Sequence, residues 1–273
     1  MSINYKDSSV VKKKSKEVKE KKEVKLGHPP SDGLDQMPSY HWAMQELTGT
    51  ENASYEYKDC NNKTCFFVRR YEPHDEGNDS SKKRIVPYSY DLLTGTWVQK
   101  AWTKNRPLFH ESRLSKDKEV IIPEGEKAVL EAEKIFKDHD CVTWSGGSKA
   151  VSKTTFEALK GKKVILFPDN DKAGLEAMHE VAKTLIEEGI TEDVHLVDIP
   201  EELPEGWDLA DHISSKTGIT TQGILDSHKE YDPDEHEKIW KKINTRTEKK
   251  AIENKVENFL GMYIYIRSLT SFY

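Results

Sequence analysis

The sequence is poor in cysteine, has no long apolar run and carries no excess of positive charge. Its three cysteines, Cys60, Cys65 and Cys141, are too few for a disulfide framework or for the paired sets that build a four-ligand zinc centre. Cys60 and Cys65 flank Asn61-Asn62-Lys63-Thr64 with no second pair elsewhere. No zinc is therefore expected, and the two residues are expected to face each other beside a hairpin turn. The odd count and the absence of a signal-peptide pattern point to a reducing, cytoplasmic setting. No apolar run approaches the roughly 18 residues of a membrane span, because Phe259–Tyr273 is short and broken by Gly261 and Arg267. No membrane partner is expected. Lys and Arg total 42 against 48 Asp and Glu, a formal net charge of −6. That balance argues against nucleic-acid binding by a basic surface alone. It does not exclude a metal-dependent site, where a bound cation offsets carboxylates next to phosphate. The GxxxxGK phosphate loop followed by Ser or Thr is also missing.

What is present falls into four stretches. Residues 1–38 read as a disordered charged tail and linker: lysines and glutamates alternate without an apolar stripe, then prolines and glycines cluster. Glu17, Glu20 and Glu23 dilute any basic arm. Residues 39–115 read as a small β-rich module. Tyr55 and Tyr57 alternate with polar residues before the Asn61-Asn62 turn. Phe66 and Val68 follow on one face, with Phe67, Arg69 and Tyr71 on the other. A second pair is expected over Ile85–Tyr90 and Trp97–Trp102. Arg69, Arg70, Lys82, Lys83, Arg84, Lys104 and Arg106 make this module locally basic. Its aromatics, among them Tyr71, Tyr88, Tyr90, Trp97 and Trp102, read as core or as a stacking surface for a single strand.

Residues 116–215 alternate strand and helix. Apolar runs at Val120–Ile122, Cys141–Trp144, Val164–Phe167 and His195–Val197 are separated by amphipathic segments. One helix should bury Val129, Ala132, Ile135 and Phe136, another should run around Lys153–Leu159, and a third should bury Met178, Val181, Ala182, Leu185 and Ile186. Strands apolar throughout imply an α/β fold, a parallel sheet of about four strands with helices on both faces. Residues 216–273 read as a helical extension, with a charged helix over Glu235–Leu260.

Functional groups of a parallel sheet gather beyond the C-terminal strand ends. Here those ends carry Glu124, then Asp169 and Asp171, then Asp208 and Asp211. Carboxylates brought close repel unless a cation intervenes, and Mg²⁺ suits one or two carboxylates with the rest of its shell from water and phosphate. Taken singly, Asp171 is equally a helix cap, Asp208 an N-cap and Glu124 an exposed strand end; three loaded strand ends together favour a site. Gly125 leaves room for close approach beside Glu124, and Gly174 for substrate at the rim. The Gly146-Gly147 pair between Ser145 and Ser148, followed by Lys149, reads equally as an anion-binding nest or an ordinary turn.

The segments IIPEGEKAVLEAE, TWSGGSKAV, LKGKKVILFPDNDKAGLEA and GWDLADHI together resemble the Toprim domain, over roughly Lys116–Ser215. Their spelling is similar to primase-like members from phages, plasmids and other mobile elements. So are YEYKDCNNKTCFFVRRYE and RPLFHESRL upstream. The resemblance implies Glu124 as general acid or base and Asp169 and Asp171 as metal-binding aspartates. Asp208, and less closely Asp211, would match a later acidic position, and Lys127 a phosphate contact. It implies Mg²⁺ or Mn²⁺, nucleotides and single-stranded DNA as ligands, a replicative helicase as partner, and RNA primer synthesis in DNA replication as activity. A non-catalytic nucleic-acid-binding adaptor or truncated relic, and a Toprim nuclease, remain as alternatives.

Overall fold

The computed structural model describes residues 23–34, 50–72, 84–103, 105–235 and 238. The charged helix expected over Glu235–Leu260, the tail to residue 22, Lys82, Lys83 and Lys104 lie wholly or almost wholly outside these residues.

The N-terminal part is an antiparallel sheet. Strand β1 (Leu26–Gly27) pairs with β4 (Arg84–Asp91), which pairs with β3 (Thr64–Glu72); β3 pairs with β2 (Thr50–Lys58), and β5 (Thr96–Val98) also pairs with β4. The linker stretch thus contributes a short strand of its own. The hairpin forms where alternation placed it. Tyr57 lies opposite Phe66 in the register, and their rings stack at 4.3 Å, a cross-strand pair of the kind that stabilises sheets. Asp59 closes the turn by accepting from Asn61 N and Lys63 N, each at 2.9 Å. Cys60 and Cys65 do not face each other: the last register pair is Lys58 with Thr64, so Cys60 sits exposed in the turn while Cys65 is buried on the strand.

The second part is a five-stranded sheet in the order β10-β9-β8-β6-β7, built from β6 (Val120–Pro123), β7 (Asp140–Cys141), β8 (Val164–Phe167), β9 (Val194–Leu196) and β10 (Lys229–Glu230). The first four in chain order run parallel, and β10 is antiparallel at the edge. The chain is α/β, as its apolar strands require. Strand order adds what periodicity could not. From β6 the chain steps to β7 on one side, and from β8 it steps to β9 on the other. Right-handed crossovers taken in opposite directions put their helices on opposite faces. Accordingly α1 (Glu126–Ile135) packs Ala128, Val129 and Ala132 with Ile121 and Ile165, whereas α2 (Lys172–Glu187) packs Met178, Val181 and Leu185 with Val120, Ile122, Val164 and Leu166. Each fully buried aliphatic side chain of this kind contributes roughly 1.5–3 kcal/mol.

Several local expectations differ from the structure. Ile135 and Ile186 are exposed at helix ends rather than buried. The β7 strand is only Asp140–Cys141. The helix expected around Lys153–Leu159 is replaced by two 3₁₀ turns, Ser148–Lys153 and Glu157–Leu159. Thr154 between them is extended, in keeping with the poor helix propensity of adjacent β-branched Thr154 and Thr155. The core also ignores the sequence divisions. Tyr55, Tyr57, Phe66 and Val68 of the antiparallel sheet share one apolar cluster with Ile121, Ile165 and Phe167, and with Ile224 and Leu225 of α3 (Thr221–Asp226).

Candidate functional site

The crevice of a parallel sheet lies where neighbouring strands send their connections opposite ways. Here that point is between β6 and β8, and their C-terminal ends deliver Glu124 and Asp169. A cleft of about 450 Å³ opens above them. One wall is the Toprim-like rim expected from sequence, with Glu124, Gly125, Lys127, Gly146, Gly147, Asp169 and Asp208; the other is the antiparallel sheet, with Phe66, Val68 and Arg70, and the segment that follows it, with Trp102 and Arg106.

Backbone anchors hold the acidic loops. Thr143, fully buried, donates its hydroxyl to the Pro123 carbonyl at 2.8 Å and accepts from Gly125 N at 3.2 Å, so it grips the chain on both sides of Glu124. Gly125 has φ +87°, a left-hand region that favours glycine. Asn170 is a second anchor. Its amide donates to the Leu203 and Pro204 carbonyls, both at 2.9 Å. Its backbone exchanges hydrogen bonds with Trp207 and Gly206. The loop after β8 is thereby tied to the one that carries Asp208. Neither Thr143 nor Asn170 was singled out from the sequence; a buried hydroxyl and an amide between two aspartates carry no pattern until the loops they join are adjacent.

The predicted residues divide in two. Glu124, Asp169, Asp208, Lys127, Gly146 and Gly147 line the cleft, whereas Asp171, Asp211 and Lys149 do not. Asp171 caps α2, accepting from Gly174 N at 2.7 Å. Asp211 accepts from Asp208 N at 3.1 Å, and Asp208 accepts from Ala210 N at 2.7 Å, so the pair shapes a tight acidic turn. Lys149 lies on another surface, with Ser148 and Glu176. Gly174 is explained by packing, not by access for substrate: it is buried, and a Cβ there would approach the Asp169 carbonyl oxygen to 2.7 Å and its nitrogen to 2.9 Å.

Arg106 is the cation that sequence reading left in a general basic patch. It is buried, donating from Nε to the Trp102 carbonyl at 2.7 Å and from Nη1 to the Ser145 carbonyl at 3.2 Å. Burial lowers its pKa from the ordinary value, and nearby Tyr57 partly opposes this. It props the Ser145-Gly146-Gly147 loop, where Gly146 at φ +96° leaves room for its guanidinium. Trp144 Nε1 donates to the Gly147 carbonyl at 2.9 Å and closes the same loop. Of the module's aromatics, Tyr71, Tyr88, Tyr90 and Trp97 are core, while Trp102 is half-buried on the cleft wall.

A hard cation suits the donor set, since every acidic side chain at the rim offers carboxylate oxygen. Among the described residues, Glu124, Asp169, Asp171 and Asp208 do not converge three at a time within 4.8 Å; a trio that does is His28, Asp59 and Cys65, on the antiparallel sheet.

Residues 121–213 match the Toprim-like family model. This stretch of the chain is a Toprim-like domain. Solved structures similar to the chain include the primase fragment of the bacteriophage T7 primase-helicase protein, with 18% identity, 54% of this chain and 52% of that chain covered, and a TM-score of 0.37. The Escherichia coli primase catalytic core gives 18% identity, 57% and 46% coverage and a TM-score of 0.37. The RNA polymerase domain of Mycobacterium tuberculosis primase, in complex with double-stranded DNA, gives 12% identity, 75% and 66% coverage and a TM-score of 0.41. The chain thus spans between 46% and 66% of the length of these three. Comparison with curated proteins gave no match. Among the described residues no helix is long and apolar enough to cross a membrane.

Proposed function

We propose that this chain is a primase-related Toprim protein performing Mg²⁺-dependent nucleotidyl transfer, the synthesis of RNA primers on single-stranded DNA during replication of a phage, plasmid or mobile element. One observation carries the reading: Glu124, Asp169 and Asp208 share a cleft with Gly146, Gly147 and Lys127, walled on the other side by Trp102, Arg70 and Arg106. Asp169 and Asp208 would hold the ion, with Asp171 joining them through whatever its capping role leaves available. When bound, Mg²⁺ or Mn²⁺ offsets the charge that develops on nucleotide phosphates. Glu124 accepts the proton of the attacking hydroxyl. Lys127 and the backbone of the Gly146-Gly147 turn meet phosphate oxygens. Trp102 offers an aromatic face to a base, and Arg70 adds positive charge on the same wall.

The test is template-directed incorporation of ribonucleotides with Mg²⁺ or Mn²⁺. Asp169→Asn and Glu124→Gln should each remove product; equal product from wild type and Asp169→Asn would overturn the reading. A second reading draws on the side-chain roles of Asp171 and Asp208, both of which support backbone turns: a DNA-binding adaptor whose rim no longer turns over. DNA binding indifferent to EDTA, with no product, would favour it. Degradation of DNA without nucleotides would instead favour a Toprim nuclease.

A further inference from the structure

Away from the cleft, on the antiparallel sheet, His28, Asp59 and Cys65 bring one nitrogen, one carboxylate oxygen and one sulfur within 4.8 Å of one another. Three separate pieces of chain supply them: the residue after β1, the hairpin turn and strand β3. Two of the three side chains are oriented by the backbone. Nδ1 of His28 lies 3.0 Å from the Thr64 carbonyl, which can only accept, so Nδ1 carries the hydrogen and Nε2 the lone pair of a neutral ring. Asp59 is held through Oδ1 by two backbone N–H groups at 2.9 Å, and its Oδ2 lies 3.8 Å from that Nε2. Two lone-pair groups thus face across a gap too wide for a hydrogen bond. The Sγ of Cys65 sits 3.9 Å from Nδ1 of the same ring. A ring nitrogen tied to a backbone carbonyl, with its partner nitrogen presented outward, is the outer arrangement that orients metal-binding histidines.

We propose that His28, Asp59 and Cys65 form a zinc site. The edges of a tetrahedral zinc site are roughly 3.3–3.7 Å, given bonds of about 2.0–2.3 Å; the 3.8 Å from Nε2 to Oδ2 is already close to that. The sulfur stands 3.9 Å from the other ring nitrogen and has to swing toward Nε2 to complete the set. Mixed sulfur, nitrogen and oxygen donors select a borderline-soft ion such as zinc rather than the hard ion expected at the rim. Cys60, exposed in the same turn, is not among the groups within 4.8 Å of one another, so water is the ligand for the fourth position. The site is structural. Strand β1 has two residues, paired with Asp91 and Tyr90, and Lys25 before it bonds Asp91 and Leu92 through its backbone; a metal bridge from His28 would tie this short strand to the hairpin as well. It also stands behind the cleft wall, because the His28 ring lies 5.7 Å from Trp102.

The full chain, stripped with a chelator and titrated with zinc against a chromogenic competitor, should take up one ion. His28→Ala and Cys65→Ser should each weaken uptake more than ~10-fold, the loss that follows from disturbing even an outer partner of a ligand. Cys141→Ser and Asp169→Ala should bind as wild type does, and the second of these separates this site from the proposed magnesium rim. Cobalt in place of zinc should give a thiolate charge-transfer band that Cys65→Ser abolishes. His28 is exposed, so His28→Ala remains readable should Cys65→Ser fail to fold. No zinc uptake by wild type, or unchanged uptake by His28→Ala, would overturn the proposal and leave His28 and Asp59 as a plain ion pair.

Discussion

The hydroxyl of Tyr57, on the antiparallel sheet, donates to Oε1 of Glu126, in the first turn of α1, at 2.6 Å with both side chains buried. Glu126 is two residues beyond Glu124, so this bond fixes one wall of the cleft against the other next to the proposed proton acceptor. Burial, then the Glu126 charge, raises the Tyr57 pKa well above its ordinary value. Removing the hydroxyl takes a short hydrogen bond from a buried carboxylate, at a cost of about 1–3 kcal/mol. Tyr57→Phe should therefore lower the melting temperature by several degrees, read by circular dichroism; an unchanged melt would show that the bond is not a structural tie.

Asp171 stands at a helix N-cap with a proposed share in metal binding, and two substitutions separate these roles. Asp171→Ala removes the cap and should cost roughly 0.5–2 kcal/mol. Asp171→Asn keeps a capping oxygen and should melt like wild type. If Asp171 also serves the ion, Asp171→Asn should still lose primer synthesis; full activity would reduce the residue to its cap.

Asn170 joins the Asp169 loop to the Asp208 loop through two side-chain hydrogen bonds of 2.9 Å. Asn170→Ala leaves every carboxylate in place but loosens their spacing. The Mg²⁺ concentration for half-maximal product should rise about 10-fold or more, as for other groups that orient ligands, while nucleotide dependence at saturating metal changes little. An unchanged metal requirement would contradict the positioning role.

Cys141 gives a pH prediction. Burial, with Glu133 and Asp140 nearby, pushes its thiol up to about 12. Below the ordinary thiol value of about 8.5 the folded and unfolded chains both keep the proton. Between there and about 12 the unfolded chain loses it first, so stability falls as pH rises. Cys141→Ala should be less stable at neutral pH but should show a shallower decline in melting temperature across that alkaline window. Parallel curves for the two proteins would refute the assignment.

Apolar periodicity was enough to read the parallel sheet, because Val120–Ile122 and Val164–Phe167 can be satisfied only by burial on both faces. The loaded strand ends were legible for the same reason: Glu124 and Asp169 follow those runs directly. The strand order was not legible, and it decides which ends flank the crevice. The division between Asp169 and Asp171 was also hidden, since both spell the same motif while one faces the cleft and the other caps α2. Arg106 and Trp102 could be seen as basic and aromatic, but their place on the cleft wall depends on a core shared by the two sheets, which no local pattern encodes. His28, in a Pro- and Gly-rich stretch, gave no sign that it would meet Asp59 and Cys65.

The central claim is that the rim of Glu124, Asp169 and Asp208 holds a hard divalent ion. Mn²⁺ titrated into the zinc-saturated chain and followed by electron paramagnetic resonance tests it without reliance on turnover. Wild type should quench the free-ion signal at stoichiometric protein, Mg²⁺ should compete, and Asp169→Asn with Asp208→Asn should restore the free signal. Quenching that survives this double substitution, or none with wild type, would contradict the account.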